Sequence, residues 1–419
     1  MSIEDQMLDL AKRAKIAARE ISRASAAAKN AAILNIGELL ASRRAEISQA
    51  NEVDLKAAKA AGMDAPKLDR LTLSPQVIEC MIQACREVAA LSDPVGEIES
   101  MSQRPNGLLV GRMRTPLGVI AMIYESRPNV TIDAAILCLK AGNAVILRGG
   151  SEAFHSNTML ADILRQALTA AGIPADCAQL VPTTDRAAVK ALCKLDAFVD
   201  VIIPRGGEGL IRAVVAEATM PVLKHYMGVC HAYVDSPVDA DQAVGVLLNA
   251  KAQRPGVCNA LECLLVHKDA AAEILPRVAA KLGAAGVSFR ACERSLPLLG
   301  KYATPASQSD YGHEFHDLIL AVKVVDSMDE ALDHIARYSS SHTEVILTRD
   351  HARAMRFLRE ADSSMVGVNC STRFNDGGEL GLGAEIGIST SKLHAFGPMG
   401  LKELTSAKFV VLGNGQVRG

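Results

Sequence analysis

The chain has 419 residues, of which 49% are hydrophobic and 22% are charged, and its formal net charge is −2. This length exceeds what one hydrophobic core usually serves, so we expect two or three domains. A near-neutral charge without a long basic run argues against nucleic acid as a main partner, and no apolar run approaches the ~18 residues that a membrane helix needs.

The first hundred residues predict helices. Residues 4–62 are rich in Ala, Leu, Lys, Arg and Glu at helical spacing, which predicts two or three helices ending near Gly62. A further helix is predicted over 74–91. After a break at 92–96, the Gly- and Pro-containing segment 101–115 predicts a β-hairpin.

From residue 117 onward, strand and helix patterns alternate. Strands are predicted at 118–124, 144–147, 178–181 and 199–203, and helices at 131–140, 154–171, 186–192 and from 210 onward. The first strand is continuously apolar, as a strand covered on both faces requires. This βαβ series predicts an α/β protein with a parallel, doubly wound sheet of the Rossmann type.

A second α/β series begins near Asp239. It predicts a helix ending near residue 253, a helix at 270–282, and strands at 261–267, 318–325, 344–348, 365–368 and 408–412.

Two loops at strand ends are candidates for binding a dinucleotide. Gly206, Gly207 and Glu208 join a strand to a helix whose N-terminus could hold a pyrophosphate, although a plain tight turn is the alternative because GxGxxG is absent. Arg148 and Ser151 follow another strand, without the acidic residue that binds a ribose 2′-hydroxyl. This pattern favours NADP, although Arg148 could equally be an ordinary surface residue.

Cys258 lies between a Pro-Gly turn and an apolar strand, where it could be a buried small hydrophobe, a metal ligand or a nucleophile. Residue type alone favours burial. The loop position and the nearby Arg254 favour a reactive thiolate, whereas Cys263 lies within the strand and is interpreted as structural.

Metal binding is not predicted. Ten scattered cysteines indicate reduced cytoplasmic thiols. The Cys80/Cys85 and Cys258/Cys263 pairs are spaced C-x4-C but have no matching second pair, which argues against a zinc site. His313 and His316 are three residues apart, not the four of a metalloprotease motif. No sequence feature marks a histidine as a general base among His225, His231, His313 and His342.

Ser126, Arg127 and Asn129 follow the first strand of the parallel sheet. Loops at the carboxyl ends of such strands carry ligand contacts, although a solvated loop is the plainer interpretation.

Several stretches appear in the order expected of the aldehyde dehydrogenase superfamily. They are Gly118-Val-Ile-Ala-Met-Ile, Ala141-Gly-Asn-Ala-Val-Ile-Leu-Arg, the Cys258 segment, Gly312-His-Glu-Phe and Phe396-Gly-Pro-Met-Gly-Leu. Three variants, Tyr-Glu-Ser-Arg-Pro-Asn-Val-Thr, Gln-Arg-Pro-Gly-Val-Cys-Asn-Ala and His-Ala-Phe-Gly-Pro-Met-Gly-Leu, resemble the gamma-glutamyl phosphate reductase family within it.

The resemblance implies NADPH-dependent reduction of L-glutamyl 5-phosphate to L-glutamate 5-semialdehyde and phosphate, the second step of proline biosynthesis from glutamate. Cys258 matches the family's catalytic thiol, which would form a thioester. Asn129 is our candidate for a side-chain amide that stabilises the oxyanion. Glu314 matches the glutamate that holds the nicotinamide ribose, and residues 206–209 match the loop beside the cofactor.

Lys224 stands where hydrolytic aldehyde dehydrogenases carry a glutamate base. A base that activates water would hydrolyse the thioester, so its absence favours exchange with phosphate, which Lys224 could help to hold. The alternatives are a hydrolytic or CoA-acylating aldehyde dehydrogenase and a non-catalytic scaffold. The tentative ligands of substrate and phosphate are Ser126, Arg127, Lys224, Arg254 and Arg373.

The resemblance also implies a domain arrangement. We expect a cofactor-binding domain at 1–236, a catalytic domain at 237–404 and an oligomerisation strand at 405–419, which acts with a hairpin at 101–116. Homo-oligomers are expected, and some family members cooperate with glutamate 5-kinase. We expect a cytoplasmic location, since no secretory signal is visible.

Overall fold

The computed structural model of the chain describes residues 1–224 and 226–418. These residues form two compact units. The first unit comprises Met1–Lys224, Gly381–Gly387 and Met399–Gly419, and the second comprises His225–Leu380 and Ile388–Pro398.

The first unit begins with five helices, α1 (Ile3–Ile21), α2 (Ala26–Ser42), α3 (Arg44–Ala60), α4 (Ala65–Leu71) and α5 (Pro75–Ala90). The start of α1 is fixed by a capping box, in which the Ser2 hydroxyl accepts the Asp5 N–H and the Asp5 carboxylate accepts the Ser2 N–H. Met7, Leu10 and Ala14 lie on its buried face. The predicted helices therefore form where the apolar spacing placed them.

A hairpin and a parallel sheet follow. The strands are β1 (Ile98–Gln103), β2 (Leu109–Pro116), β3 (Val119–Tyr124), β4 (Ala144–Arg148), β5 (Ala178–Leu180) and β6 (Val201–Arg205). The helices are α6 (Val130–Lys140), α7 (Phe154–Ala170), α8 (Ala187–Leu192) and α9 (Glu208–Glu217), with 3-10 turns at Ser151–Ala153 and Ala175–Cys177.

The parallel sheet has the strand order β5-β4-β3-β6. Every residue of β3 and β4 is buried, because helices cover both faces. The predicted α/β class with a Rossmann-type series is thus confirmed, and the carboxyl ends of β3, β4 and β6 meet at one edge.

The second unit contains a seven-stranded parallel sheet with the order β10-β9-β11-β8-β7-β12-β13. Its strands are β7 (Cys230–Val234), β8 (Leu261–His267), β9 (Ser288–Ala291), β10 (Ala303–Pro305), β11 (Ile319–Val325), β12 (Thr343–Leu347) and β13 (Met365–Val368). Its helices are α10 (Ala240–Ala252), α11 (Lys268–Ala284), α12 (Leu296–Leu299), α13 (Met328–Tyr338) and α14 (His351–Glu360). Shorter elements are the 3-10 turns Gly300–Tyr302, Gln308–Gly312 and Thr372–Phe374 and the strand pair β14 (Ile388–Ser389) and β15 (Gly397–Pro398).

Side chains alternate between the two faces of this sheet. In β8, Leu264 and Val266 pack into the cluster that includes α10 and α11, while Cys263 and Leu265 pack into the cluster that includes α13 and α14. The strand is fully buried as a result.

The last strand, β16 (Thr405–Leu412), pairs antiparallel with β2, and β1 pairs with the other edge of β2. The three strands form a separate sheet in the first unit. Several of its large apolar side chains are exposed, most of all Phe409 at 68%.

The division of the chain differs from the predicted boundary at 236. Strand β7 pairs with β8 and β12, so the residues that carry it belong to the second unit and the division falls after Lys224. The first unit also includes 381–387 and 399–404, which we assign to the catalytic domain from sequence. The side-chain amide of Asn143 donates to the carbonyl of Leu404 at 2.9 Å, which ties this segment to the first unit.

Among the described residues, no helix is both long enough and apolar enough to cross a membrane.

Candidate active site

A cavity of about 490 Å³ lies in the first unit, beside the carboxyl ends of β3 and β4. This volume is within the roughly 300–1,000 Å³ typical of small-molecule sites. Arg148 and Ser151, both predicted cofactor ligands, line it together with Gly209 and Leu210 of α9.

Arg148 leaves part of its guanidinium group unsatisfied. Nη1 donates to the carbonyl of Gly149 and Nη2 to that of Thr184, each at 3.0 Å. Nε is buried and has no hydrogen-bond partner within the described residues. Burial lowers the pKa of Arg148, although an arginine remains charged at neutral pH.

Two further cations, Arg186 and Lys190, line the same cavity. The sequence interpretation misses both, because they lie on and just before α8 rather than directly at a strand end. With Arg148 they give the lining three basic side chains, and three acidic ones, Glu125, Glu152 and Glu217, line the same cavity. Arginine remains the side chain best suited to pair with an anionic ligand group there.

The glycine-rich loop before α9 binds the Glu125 carboxylate of the same chain. The N–H of Gly207 donates to Oε2 of Glu125 at 3.0 Å, and a Cβ added at Gly206 would lie 2.5 Å from the same oxygen. Glu208 pairs with Arg212 on the surface. A negative group therefore already lies at the N-terminus of α9, where we predict a pyrophosphate, and that pyrophosphate site stays a prediction.

The loop between β3 and α6 is held by a second acidic residue. Ser126 has a φ of 44°, and its N–H and Oγ both donate to Oε1 of Glu152, at 2.6 and 2.7 Å. Glu152 lines the cavity, so the loop is fixed to the cavity wall. The sequence interpretation passes over Glu152, which lies four residues after the end of β4 and immediately after Ser151.

Asn129 and Arg127 belong to the same loop but are not among the residues that line the cavity. The Asn129 amide donates to Oδ2 of Asp133 at 2.9 Å. Burial raises the pKa of Asp133 to about 6. Arg127 is exposed, and Lys224 is the last residue of the first unit before His225, which lies outside the described residues.

In the second unit, Cys258 lies in the loop between α10 and β8 and is partly exposed. The Cys230 thiol of β7 donates to its carbonyl oxygen at 3.2 Å. Gly228 packs so closely that a Cβ there would lie 2.0 Å from the same oxygen, so only glycine fits. The backbone of Cys258 is thus held in one position by two residues nearly thirty positions earlier in the chain.

The next residue, Asn259, fixes the loop from the other side. Its Nδ2 donates to the carbonyl of Asn375 at 2.9 Å and to that of Arg373 at 3.3 Å. Arg373 in turn donates from Nε to Oε1 of Gln253 at 2.9 Å. Arg373 is therefore brought to the Cys258 loop, on which the exposed Arg254 also lies.

Glu314 joins this group through Gly228. The N–H of Gly228 donates to the Glu314 carboxylate, and Gly228 contacts the backbone of Cys258. Burial raises the pKa of Glu314, against the effect of the imidazole of His316 at 3.4 Å. The structure thus brings two predicted site residues, Cys258 and Glu314, into contact with one glycine.

A buried ion pair joins the two ends of the Cys258 loop. Nζ of Lys251, near the end of α10, lies 2.7 Å from Oε2 of Glu262 in β8, and the two side chains are 0% and 1% exposed. Burial raises the pKa of Glu262 and lowers that of Lys251. The sequence gives no sign of this pair, because each residue is charged within an otherwise apolar stretch.

Most of the other cysteines differ from Cys258 in being buried, although Cys80 is exposed and Cys292 and Cys370 are partly exposed. Burial raises the thiol pKa at Cys85, Cys138, Cys177, Cys193, Cys230, Cys263 and Cys370. Burial also acts to raise the pKa of Cys292, but hydrogen bonds from Ser295 and Val324 lower it overall. A lowered pKa favours the thiolate, so a labelling experiment on Cys258 needs Cys292 as a control.

Comparisons with known proteins agree with this architecture. The model of the aldehyde dehydrogenase family matches residues 2–288. The chain is 70% identical to gamma-glutamyl phosphate reductase of Solidesulfovibrio magneticus and 66% identical to that of Nitratidesulfovibrio vulgaris, with 100% of each chain covered.

Solved structures give the same result. The crystal structure of gamma-glutamyl phosphate reductase from Thermotoga maritima is 46% identical, superimposes with a TM-score of 0.96, and is matched over 99% of this chain and 100% of that one. An acetylating aldehyde dehydrogenase from Geobacillus thermoglucosidasius, 16% identical with a TM-score of 0.70, matches over 100% of this chain and 98% of that one and shares the fold. The chain therefore belongs to the aldehyde dehydrogenase family, and along its whole length it is similar to the gamma-glutamyl phosphate reductases.

Proposed function

We propose that this chain reduces L-glutamyl 5-phosphate to L-glutamate 5-semialdehyde and phosphate with NADPH, as the second step of proline biosynthesis from glutamate. The observation that carries the proposal is the placement of Cys258, which is partly exposed on a loop fixed by Gly228, Cys230 and Asn259. A fixed, accessible thiol is what nucleophilic catalysis requires. The names of the similar proteins supply the substrate class.

In the proposed reaction, the Cys258 thiolate attacks the acyl carbon, the C–O bond to phosphate breaks, and a thioester forms. Reduction gives a hemithioacetal, which releases the aldehyde and regenerates the thiol. Both steps pass through an oxyanion, which the backbone N–H of Cys258 and a side-chain amide, with Asn129 as our candidate, would stabilise.

The first-unit cavity supports the choice of a phosphorylated dinucleotide. The unsatisfied Nε of Arg148 and the basic side chains of Arg186 and Lys190 are our candidates for holding the 2′-phosphate of NADP. The Glu152 carboxylate in the same cavity is held by the N–H and Oγ of Ser126. When bound, the nicotinamide supplies the hydride. Glu314, held at the Cys258 backbone by Gly228, is our candidate for the contact to the nicotinamide ribose.

For the substrate we propose Arg254 and Arg373, with Ser126, Arg127 and Lys224 as further candidates. Arginine pairs with carboxylate and phosphate through two parallel hydrogen bonds, and Arg373 is already fixed to the Cys258 loop by Gln253. Lys224 replaces the base of hydrolytic relatives, so water would not be activated. Homo-oligomers, a partnership with glutamate 5-kinase and a cytoplasmic location stay predictions.

The reaction is best tested in reverse, by following reduction of NADP by the purified chain with glutamate 5-semialdehyde, with and without inorganic phosphate. We expect strict dependence on phosphate, since phosphate must release the acyl group from Cys258. The Cys258→Ser variant measures the background reduction of NADP that does not depend on the thiol.

Two other outcomes would reject the proposal in different ways. Equal rates without phosphate would show that water resolves the thioester, as in a hydrolytic aldehyde dehydrogenase. Dependence on coenzyme A in place of phosphate would show a CoA-acylating enzyme.

A further inference from the structure

Three side chains of the types that bind metals meet in the core of the second unit. His231 of β7, Cys263 of β8 and His334 of α13 each present one ligand atom, and these atoms all lie within 4.8 Å of one another. Sγ of Cys263 is 3.7 Å from Nε2 of His334. The residues are 0%, 0% and 4% exposed, so the cluster is closed to solvent.

One ring nitrogen of His231 has no hydrogen-bond partner within the described residues. Its Nδ1 lies 3.2 Å from the carbonyl of Val229, to which Nδ1–H can donate, and this leaves the lone pair on Nε2. Nε2 is buried and has no hydrogen-bond partner within the part of the chain that the structure describes. An unsatisfied polar atom in a core is unfavourable in free energy, and a bond from Nε2 to a metal ion would remove this cost.

The surroundings of His231 resemble the support of a metal ligand. Metal-binding histidines usually donate their second ring N–H to a carbonyl or carboxylate, which fixes the ring and makes it more basic. Here Nδ1 faces the Val229 carbonyl and also lies 3.4 Å from the Glu344 carboxylate. The ring of His334 is held edge-on by Tyr311, with 5.0 Å between the centroids.

The ligand set indicates which ion would bind. Two imidazoles and one thiolate suit zinc, whereas magnesium and calcium prefer oxygen ligands. Zinc bonds of about 2.0–2.1 Å to nitrogen and 2.3 Å to sulfur place tetrahedral ligand atoms roughly 3.3–3.6 Å apart. The observed 3.7 Å between Cys263 and His334 is already near this spacing.

We propose that His231, Cys263 and His334 form a buried structural zinc site that joins β7, β8 and α13. The Cys263 thiolate would neutralise one of the two positive charges of the ion, and a water molecule enclosed with the ion would complete the tetrahedron. The ion would stabilise the strand that carries Cys230 against the Cys258 loop.

The site is closed, so the metal must be supplied while the chain folds. The chain is therefore expressed in medium supplemented with zinc, and in a second culture with cobalt, and its bound metal is measured by mass spectrometry. We expect one equivalent of zinc per chain. Cobalt-loaded protein should show a thiolate-to-cobalt charge-transfer band, which reports Cys263 independently of enzyme activity.

The matched variants are Cys263→Ala and Cys193→Ala, both of which remove a fully buried thiol. Metal content and the cobalt band should fall at least tenfold in Cys263→Ala and remain in Cys193→Ala. A band that survives in Cys263→Ala, or a wild-type chain with far less than one equivalent of metal, would overturn the proposal.

X-ray absorption at the zinc edge identifies the atoms bound to zinc in the wild-type chain, so it tests the proposal even if a variant does not fold. One sulfur and two imidazole nitrogens around the ion would support the site. Coordination by several sulfurs, or by oxygen only, would show that zinc binds elsewhere and would reject it.

Discussion

Cys258 depends on residues that are distant in the sequence. The turn before it and the strand after it can be predicted from Pro255, Gly256 and the apolar run that follows. The close contact with Gly228 and the hydrogen bond from Cys230 cannot, because both come from a segment nearly thirty residues earlier. Local patterns therefore identify the thiol but not the contacts that position it.

The Cys258→Ser substitution should abolish turnover and leave folding and NADPH binding intact. The hydroxyl is a far weaker nucleophile than a thiolate, whereas the loop contacts are made by the backbone and by neighbours of Cys258. Phosphate-dependent reduction of NADP, circular dichroism and NADPH binding measure the three quantities. Loss of folding in this variant would return Cys258 to a structural role.

Thiol labelling supplies the control for this prediction. In a Cys292→Ser background, Cys258 should react faster than the other thiols and be protected by substrate, since burial raises the pKa of most of them. Fast labelling at the exposed Cys80 alone would contradict a reactive Cys258.

Asp133 should make stability depend on pH. Burial raises its pKa from 3.8 to about 6, so the unfolded chain releases this proton at lower pH than the folded chain. The contribution is therefore complete below about pH 4 and is lost as pH rises to about 6, by at most about 3 kcal/mol. Urea unfolding across this range should show a shallower pH dependence for Asp133→Asn, and no such change for the exposed Asp196→Asn.

At the scale of elements, the parallel series is the most predictable part. Strand β8 and strand β13 have the bounds that the apolar runs predict, and the helices of the first sheet agree within about two residues. Strand β7 is not predicted, because Cys-His-Ala-Tyr-Val has no clear apolar pattern and is buried only through its neighbours.

Local sequence patterns also do not reveal the cluster of His231, Cys263 and His334. Zinc motifs are recognised by close spacing in the sequence, whereas these three ligands come from β7, β8 and α13. Their proximity is a product of strand order in the sheet, which the sequence does not show directly.

The Lys251–Glu262 pair should stabilise the fold where α10 and β8 flank the Cys258 loop. Glu262→Gln would leave the Lys251 charge buried without its partner, which should cost about 3–5 kcal/mol in the free energy of unfolding. The double variant Lys251→Met/Glu262→Leu removes both charges and should regain most of this loss. Chemical denaturation of a double-mutant cycle, made of the wild type, Lys251→Met, Glu262→Leu and their combination, measures the coupling. A double variant as unstable as Glu262→Gln would contradict it.

At the scale of the whole molecule, the chain leaves the first unit and returns to it twice. A boundary assigned from contiguous sequence cannot capture this, because residues 381–387 and 399–418 lie far along the chain from the elements they join. The family resemblance supplies the domain types, and hydrogen bonds such as that from Asn143 to Leu404 define the division.

The sheet of β1, β2 and β16 should carry an assembly surface. Phe409 and Val411 point to one face of β16 and are 68% and 52% exposed, and exposed apolar patches mark interfaces. Phe409→Asp/Val411→Asp should reduce the mass of the oligomer measured by light scattering. Leu393→Asp, at an 87% exposed position in the second unit, should leave that mass unchanged.

The pairing of β16 with β2 also limits how early the sheet can form while the chain is being synthesised. The paired residues are separated by about 290–300 positions, so at 5–20 residues per second β2 waits about 15–60 s on the ribosome for its partner. During that interval one edge of β2 offers unpaired N–H and C=O groups to any other nascent chain. The sheet is therefore completed only after β16 has been synthesised. Slow translation extends the period in which β2 can pair with another chain.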